Sequence, residues 1–246
     1  EFICMPLQGS GSMVLEAMLP TLLPPDSRTL VIPNGIYGFR MEQMLKYCDL
    51  AFETLMFDDM RPATADEVDA ALNRSPRVTH LAVVHCETSS GVLNPLSEIA
   101  AGAQRRGVKV LIDGVSTFGI LPLSCREITY DGLVASANKG LEGVPGVAFA
   151  IMRRSAFFSH TGKPRSFVLD LYDQWQLLHD HKKWRFTPPT HILSALLVAL
   201  QLHEHEGQVA RLARYQANYV ALIDSMAAQG LEPLLPPAWH SPIVNA

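Results

Sequence analysis

The sequence predicts an α/β protein built on a largely parallel sheet. Two patterns carry that prediction. Short apolar runs alternate with stretches of helical periodicity, and the connections between them are short. Glycine-, serine- or acid-bearing segments follow several of the apolar runs, where sheets of this kind hold ligands, beyond the carboxyl ends of the strands. The composition has room for such a fold. Of 246 residues, 48% are hydrophobic and 18% charged, enough for one large domain plus part of a second.

Taken in order, residues 2–7 read as a strand and 12–22 as a helix. Residues 28–33 form an apolar strand, and 37–47 a helix. Residues 51–57 read as a strand. Helix 64–73 opens on Thr64-Ala65-Asp66-Glu67, a capping-box pattern with Thr64 as cap and Glu67 three residues on. Residues 79–85 form a strand, 95–106 a helix and 109–113 a strand. Residues 132–136 and 147–152 are further strands. From about Ser166 the texture changes, and 169–181 is rich in aromatics and histidine. Thr187-Pro188-Pro189 breaks the chain. Residues 190–206 and 211–229 are then long helices, the second ended by Gly230, and a proline-bearing loop follows. These features divide the chain into a large domain, 1–189, and the start of a smaller one, 190–246. Both ends read as cut. Residues 1–7 are a strand already under way without an initiator methionine, and 241–246 stop as another strand begins.

Several function classes are disfavoured. The net charge is −4 with no block of like charges, which gives no support to nucleic-acid binding or a polybasic membrane anchor. No apolar run reaches the ~18 residues that a spanning helix needs. Cys4, Cys48, Cys86 and Cys125 are scattered, without a CxxC pair, and predict reduced thiols in a cytoplasmic protein. The nine histidines show neither an i, i+4 pair nor HExxH, so no metal is expected. Asp58-Asp59 reads as a loop.

The chemistry-bearing segments are these. Gln8-Gly9-Ser10-Gly11-Ser12 joins a strand to a helix, where free N–H groups suit a phosphate; the alternative is an ordinary glycine turn with a serine cap. It is neither a Walker A loop nor a full GxGxxG. Tyr37, after Asn34-Gly35-Ile36, could stack on a flat ring or sit at the surface of a helix start. His85-Cys86-Glu87-Thr88-Ser89-Ser90-Gly91 packs many hydrogen-bonding groups after an apolar strand, to serve a ligand or to cap the next helix. Asp113 ends a buried strand and needs a partner, because an unpaired buried carboxylate is costly. A protonated pyridine nitrogen would serve, as would a turn or an arginine. Lys139, in Ser136-Ala137-Asn138-Lys139-Gly140, is either a surface lysine or an amine in a cleft, its pKa lowered by desolvation and nearby cations and thus able to attack an aldehyde. Together, Asp113 and Lys139 suit pyridoxal 5'-phosphate (PLP), held by lysine and tuned by the carboxylate.

These segments, with Gly143-Val144-Pro145-Gly146 and Arg185-Phe186-Thr187-Pro188-Pro189-Thr190, occur in the order found in class V aminotransferases. The chain resembles that family of fold-type I PLP enzymes over nearly its whole length. The resemblance implies a three-layer α/β/α large domain and the start of a smaller C-terminal α+β domain. It implies Lys139 as Schiff-base lysine and proton shuttle, and Asp113 paired with the pyridine nitrogen. Tyr37 would stack on one ring face and Val115 pack on the other. Thr88 would bond the ring hydroxyl. Ser10, Gly11 and Ser12 would hold the phosphate region, with Asn138 nearby. Thr187 would reach the phosphate in the partner subunit, so the active unit would be a homodimer. Within the family the likeness points to transfer of the amino group of 2-aminoethylphosphonate to pyruvate, with ping-pong kinetics. Alanine–glyoxylate or serine–pyruvate transfer is the runner-up, and a non-catalytic α/β binding fragment is the reading from another class. Serine replaces the family's frequent threonine at Ser12, and the substrate-binding arginine is expected beyond Ala246.

Overall fold

The computed structural model describes residues 1–56, 60–159 and 166–244. In chain order the elements are β1 (Phe2–Gln8), α1 (Gly11–Leu22), β2 (Arg28–Ile32), α2 (Ile36–Tyr47), β3 (Ala51–Thr54), α3 (Ala65–Arg74) and β4 (His80–Val84). They continue with β5 (Cys86–Glu87), β6 (Val92–Leu93), α4 (Leu96–Arg105), β7 (Lys109–Asp113), β8 (Gly132–Ser136) and β9 (Val147–Arg153). The last are α5 (Arg154–Ser159), α6 (Leu171–His181), α7 (Thr190–Glu206) and α8 (Gln208–Ala228).

Seven strands form one sheet in the order β1-β9-β8-β7-β4-β2-β3. The pairs β3–β2, β2–β4, β4–β7 and β7–β8 are parallel, whereas β8–β9 and β9–β1 are antiparallel. Two successive reversals return β1 to the direction of β8. The carboxyl ends of β1, β2, β4, β7 and β8 therefore share one edge of the sheet, and the segments that follow them meet there.

Strand alternation explains the three layers. Leu30, Ile32, Leu81, Val83, Val110 and Ile112 point to one face, where Val68 and Leu72 of α3, Ile99 and Ala103 of α4 and Leu196 of α7 cover them. Val31, Ala82, Val84 and Leu111 point to the other, against Val14 and Met18 of α1, Met41 and Leu45 of α2 and Leu171 of α6. Because both faces are covered, β4 and β8 are buried at every position, which is why they read as unbroken apolar runs. Each large side chain so buried contributes roughly 2 kcal/mol.

The structure corrects several expectations. The third strand ends at Thr54, and Phe57, Asp58 and Asp59 lie outside the described residues. The segment after β4 is not all loop: β5 and β6 pair as a two-residue ribbon. Residues 171–181 form a helix, α6, capped by the Asp170 carboxylate on the N–H groups of Tyr172 and Asp173. The last helix starts at Gln208, three residues earlier than expected. Residues 241–244 do not start a strand; His240 makes one isolated bridge to Val92. His203, which the sequence suggests lies with His205 on a solvated helix face, instead places its Nε2 2.7 Å from the Gly119 carbonyl.

Candidate active site

A cavity of about 150 Å³ opens at the carboxyl edge of the sheet. Asp113 forms its floor, at the end of the central strand β7 between β4 and β8. The side chain is buried, and burial pushes its carboxyl up to about 6. The Val115 N–H donates to Oδ1 at 3.0 Å and pulls the other way, as do Arg40 and Lys139, while Glu87 adds to the rise. Among the described residues Oδ2 takes no hydrogen bond. The cavity therefore contains a desolvated carboxylate oxygen with acceptor capacity to spare.

Ser10, Gly11 and Ser12 line one side. Ser10 is the N-cap of α1 and accepts from Met13 N at 3.4 Å. The turn is drawn onto β9 by Gly9 N, which donates to Gly146 O at 2.9 Å. Gly11 is needed for close approach: a Cβ there would lie 2.5 Å from Cγ2 of Val115, which lines the cavity from the turn after Asp113. The N-terminus of α1 thus rests against the Asp113–Val115 turn with its first N–H groups at the cavity.

Tyr37 enters from the first turn of α2, and Thr88 from the segment after β5. Asn138 and Lys139 follow β8. The Ser136 hydroxyl donates to Asn138 Oδ1 at 2.7 Å and orients that carboxamide. Lys139 is exposed within its loop, so the desolvation expected around its amine is not supplied by the fold. The loop itself is fixed. Glu142 N donates to Lys139 O, Gly143 N to Ala137 O, and Arg211 of α8 donates from Nη1 to Gly140 O at 2.7 Å.

Nine of the ten residues singled out in the sequence line this one cavity, and Thr187 does not; it is exposed just before α7. Among the described residues no cluster of side chains is arranged to hold a metal ion, and no helix is long and apolar enough to cross a membrane.

The aminotransferase class-V family model matches residues 10–229. The chain belongs to the class-V aminotransferases. It is 48% identical over 245 residues to 2-aminoethylphosphonate–pyruvate transaminase 1 of Paraburkholderia xenovorans (strain LB400), covering 99% of this chain and 63% of that protein. It is 45% identical to the 2-aminoethylphosphonate–pyruvate transaminase of Rhizobium meliloti (strain 1021), covering 99% and 64%. Among solved structures, pyridoxamine–pyruvate aminotransferase from Mesorhizobium loti matches with a TM-score of 0.89 at 26% identity, over 97% of this chain and 62% of that one. The chain thus spans a little under two thirds of the length of these relatives.

Of the residues lining this class-V aminotransferase cavity that were given no role from the sequence, two are Arg40 and Cys86. Arg40 lines it, with Nη1 donating to Ser12 Oγ at 3.1 Å and the guanidinium 4.6 Å from the Tyr37 ring centroid. Its position three residues after Tyr37, on the same helix face, was the available signal. Cys86 also lines the cavity, and burial pushes its thiol up to about 11, so it is a neutral wall group. His85, by contrast, turns away: its Nδ1 lies 2.9 Å from Thr117 Oγ1, and burial pushes it down to about 4.

Proposed function

We propose that the chain is the cofactor-binding part of a PLP-dependent aminotransferase that moves the amino group of 2-aminoethylphosphonate to pyruvate, giving phosphonoacetaldehyde and L-alanine. The observation that carries the chemistry is the sharing of one cavity by the lone carboxylate Asp113 and the exposed amine Lys139. The substrates come from the named relatives at 45–48% identity.

The cavity residues suit the cofactor. The free Oδ2 of Asp113 is matched to the N–H of a protonated pyridine, a partner that offsets the cost of burying the charge. Tyr37 and Val115 would bracket the ring. The α1 N-terminus with Ser10, Gly11 and Ser12 would take the phosphate, aided by the dipole and free N–H groups, with Asn138 beside it. Thr88 would bond the ring hydroxyl. Bound there, PLP supplies an electron sink for the charge left at the substrate Cα. Lys139 would hold the cofactor, and its free Nζ would take the Cα proton of the donor and hand it on to the cofactor's aldehyde-derived carbon, the transfer running in reverse with the acceptor. Asp113 would keep the ring nitrogen protonated.

Thr187 lies outside the cavity and follows Phe186, whose exposed ring, like that of Phe167, packs against the Arg185 guanidinium. We assign this surface to a homodimer contact that brings Thr187 to the cofactor phosphate of the second copy. The four free thiols support a cytoplasmic setting.

The test is a coupled assay of alanine formation from pyruvate by the full-length protein, with Lys139→Ala as blank. Turnover with 2-aminoethylphosphonate that exceeds serine and glycine is expected. A preference for serine or glycine, or no turnover of the phosphonate, rejects the assignment.

A further inference from the structure

Helix α2, which carries Tyr37 and Arg40 to the cavity, has no cap of its own. Its N-cap is Gly35, no side chain near in sequence bonds its first turn, and that turn contains no acidic residue. A helix start left this way has unsatisfied N–H groups.

They are satisfied from 50 residues away. Tyr37 N donates to the Glu87 carboxylate, 3.1 Å to Oε2 and 3.2 Å to Oε1, and Gly38 N donates to Oε2 at 3.1 Å. Ile36 N donates to Ser89 Oγ at 3.1 Å, and Ser89 in turn donates to Glu87 Oε1 from Oγ at 2.6 Å and from N at 3.3 Å. Glu87 is wholly buried, and no described cation forms an ion pair with it. Its charge is met by N–H and O–H donors and by the positive end of α2. The contact is close enough to dictate the neighbouring residue, since a Cβ on Gly35 would run into Cγ and Cδ of Glu87. Gly38 is constrained in the same way, its Cβ position lying 2.5 Å from Pro33 Cα.

The residue next to this clamp is Thr88, which lines the same cavity as Tyr37. One short turn thus places Thr88 in the wall and holds the helix end bearing Tyr37. We propose that Glu87 is a positioning residue, a through-space cap on α2 that sets the plane of the Tyr37 ring against the cofactor. The proposal rests on the reading that Tyr37 stacks on PLP.

The experiment titrates the cofactor-free protein with PLP, following visible absorbance and the induced circular dichroism, for wild type, E87Q, Y37L and the double variant. Thermal unfolding of each cofactor-free form is measured alongside. Glutamine keeps the shape but points an NH2 at groups that are all donors. E87Q is expected to unfold cooperatively, to bind PLP about tenfold more weakly and to lose much of the induced signal. In the Y37L background the same change is expected to cost less than about twofold, because the two residues act as one unit. An equal loss in both backgrounds, or unchanged affinity and dichroism in E87Q, overturns the proposal. Wild type that takes up no PLP rejects the cofactor reading itself, and the proposal with it; this is read before any variant. Should E87Q fail to fold, S89A replaces it, with the same signature expected at smaller size and the same outcomes overturning it.

Discussion

Asp113 shows how one residue is tuned against its own fold. In the unfolded chain its carboxyl titrates near 3.8, and burial in the folded chain raises it to about 6. Folding without cofactor therefore takes up a proton between those values. The penalty for the ionised form is absent below about pH 4, grows through the window and is complete above about pH 6. Asp113→Asn removes the charge and keeps the shape. It is expected to stabilise the cofactor-free protein by roughly 2–3 kcal/mol at pH 7.5, with the gain vanishing at pH 4. Urea unfolding at the two pH values checks both arms. The same variant is expected to weaken PLP binding, because the amide cannot supply the charge that holds a pyridine nitrogen protonated. A site that binds better when its fold is less stable is the usual compromise of a functional group.

Elements differ in how they are held, and that decides how visible they are in the sequence. Helix α3 carries its cap locally. Glu67 N donates to Thr64 Oγ1 at 3.2 Å, and Thr64 N donates to Glu67 Oε2 at 2.9 Å, so both halves of the capping box form. Thr64→Ala is expected to cost about 1 kcal/mol in denaturant unfolding, with the slope unchanged. Four consecutive residues display that cap, and the sequence reveals it. Helix α2 has its cap on Glu87, and no local pattern predicts which carboxylate will arrive there. The central strands β4, β7 and β8 were legible because burial on both faces demands unbroken apolar runs. The direction of β1 and β9 was not, since hydrophobicity is blind to strand polarity. The ribbon β5–β6 escaped notice because two residues carry no periodicity. Helix α6 did so because its apolar side chains are mixed with histidines and acids. In the cavity, Asp113 stood out as a carboxylate ending a buried strand, and Lys139 as a lysine in a small-residue loop just after one. Arg40 did not, because its role comes from packing across to Ser12, 28 positions away.

At the scale of the whole molecule, the lysine loop is tied to the last two helices by one buried guanidinium. The Arg211 side chain is 3% exposed. It donates from Nη1 to Gly140 O at 2.7 Å and from Nε to Glu206 of α7 at 2.7 Å, and its Nη2 lies 3.7 Å from Glu142 in the lysine loop. Arg214, one turn on, pairs with the same two carboxylates at 2.6 and 3.0 Å, but its side chain is 43% exposed. The two arginines share partners and differ in burial, and burial decides their worth. Arg211→Met keeps the aliphatic packing but leaves a buried carbonyl without its donor and two carboxylates with one cation. It is expected to cost about 3 kcal/mol. Arg214→Met removes a solvent-screened pair and is expected to cost under about 1 kcal/mol. The difference should also be spatial. In Arg211→Met, amide exchange at residues 139–143 is expected to speed up, because the loop is released from α8, while the central strands remain protected until global unfolding. In Arg214→Met, exchange in that loop stays close to wild type. Equal stability losses, or protection of the lysine loop unchanged in Arg211→Met, would show that α8 is merely docked beside the site and does not brace it.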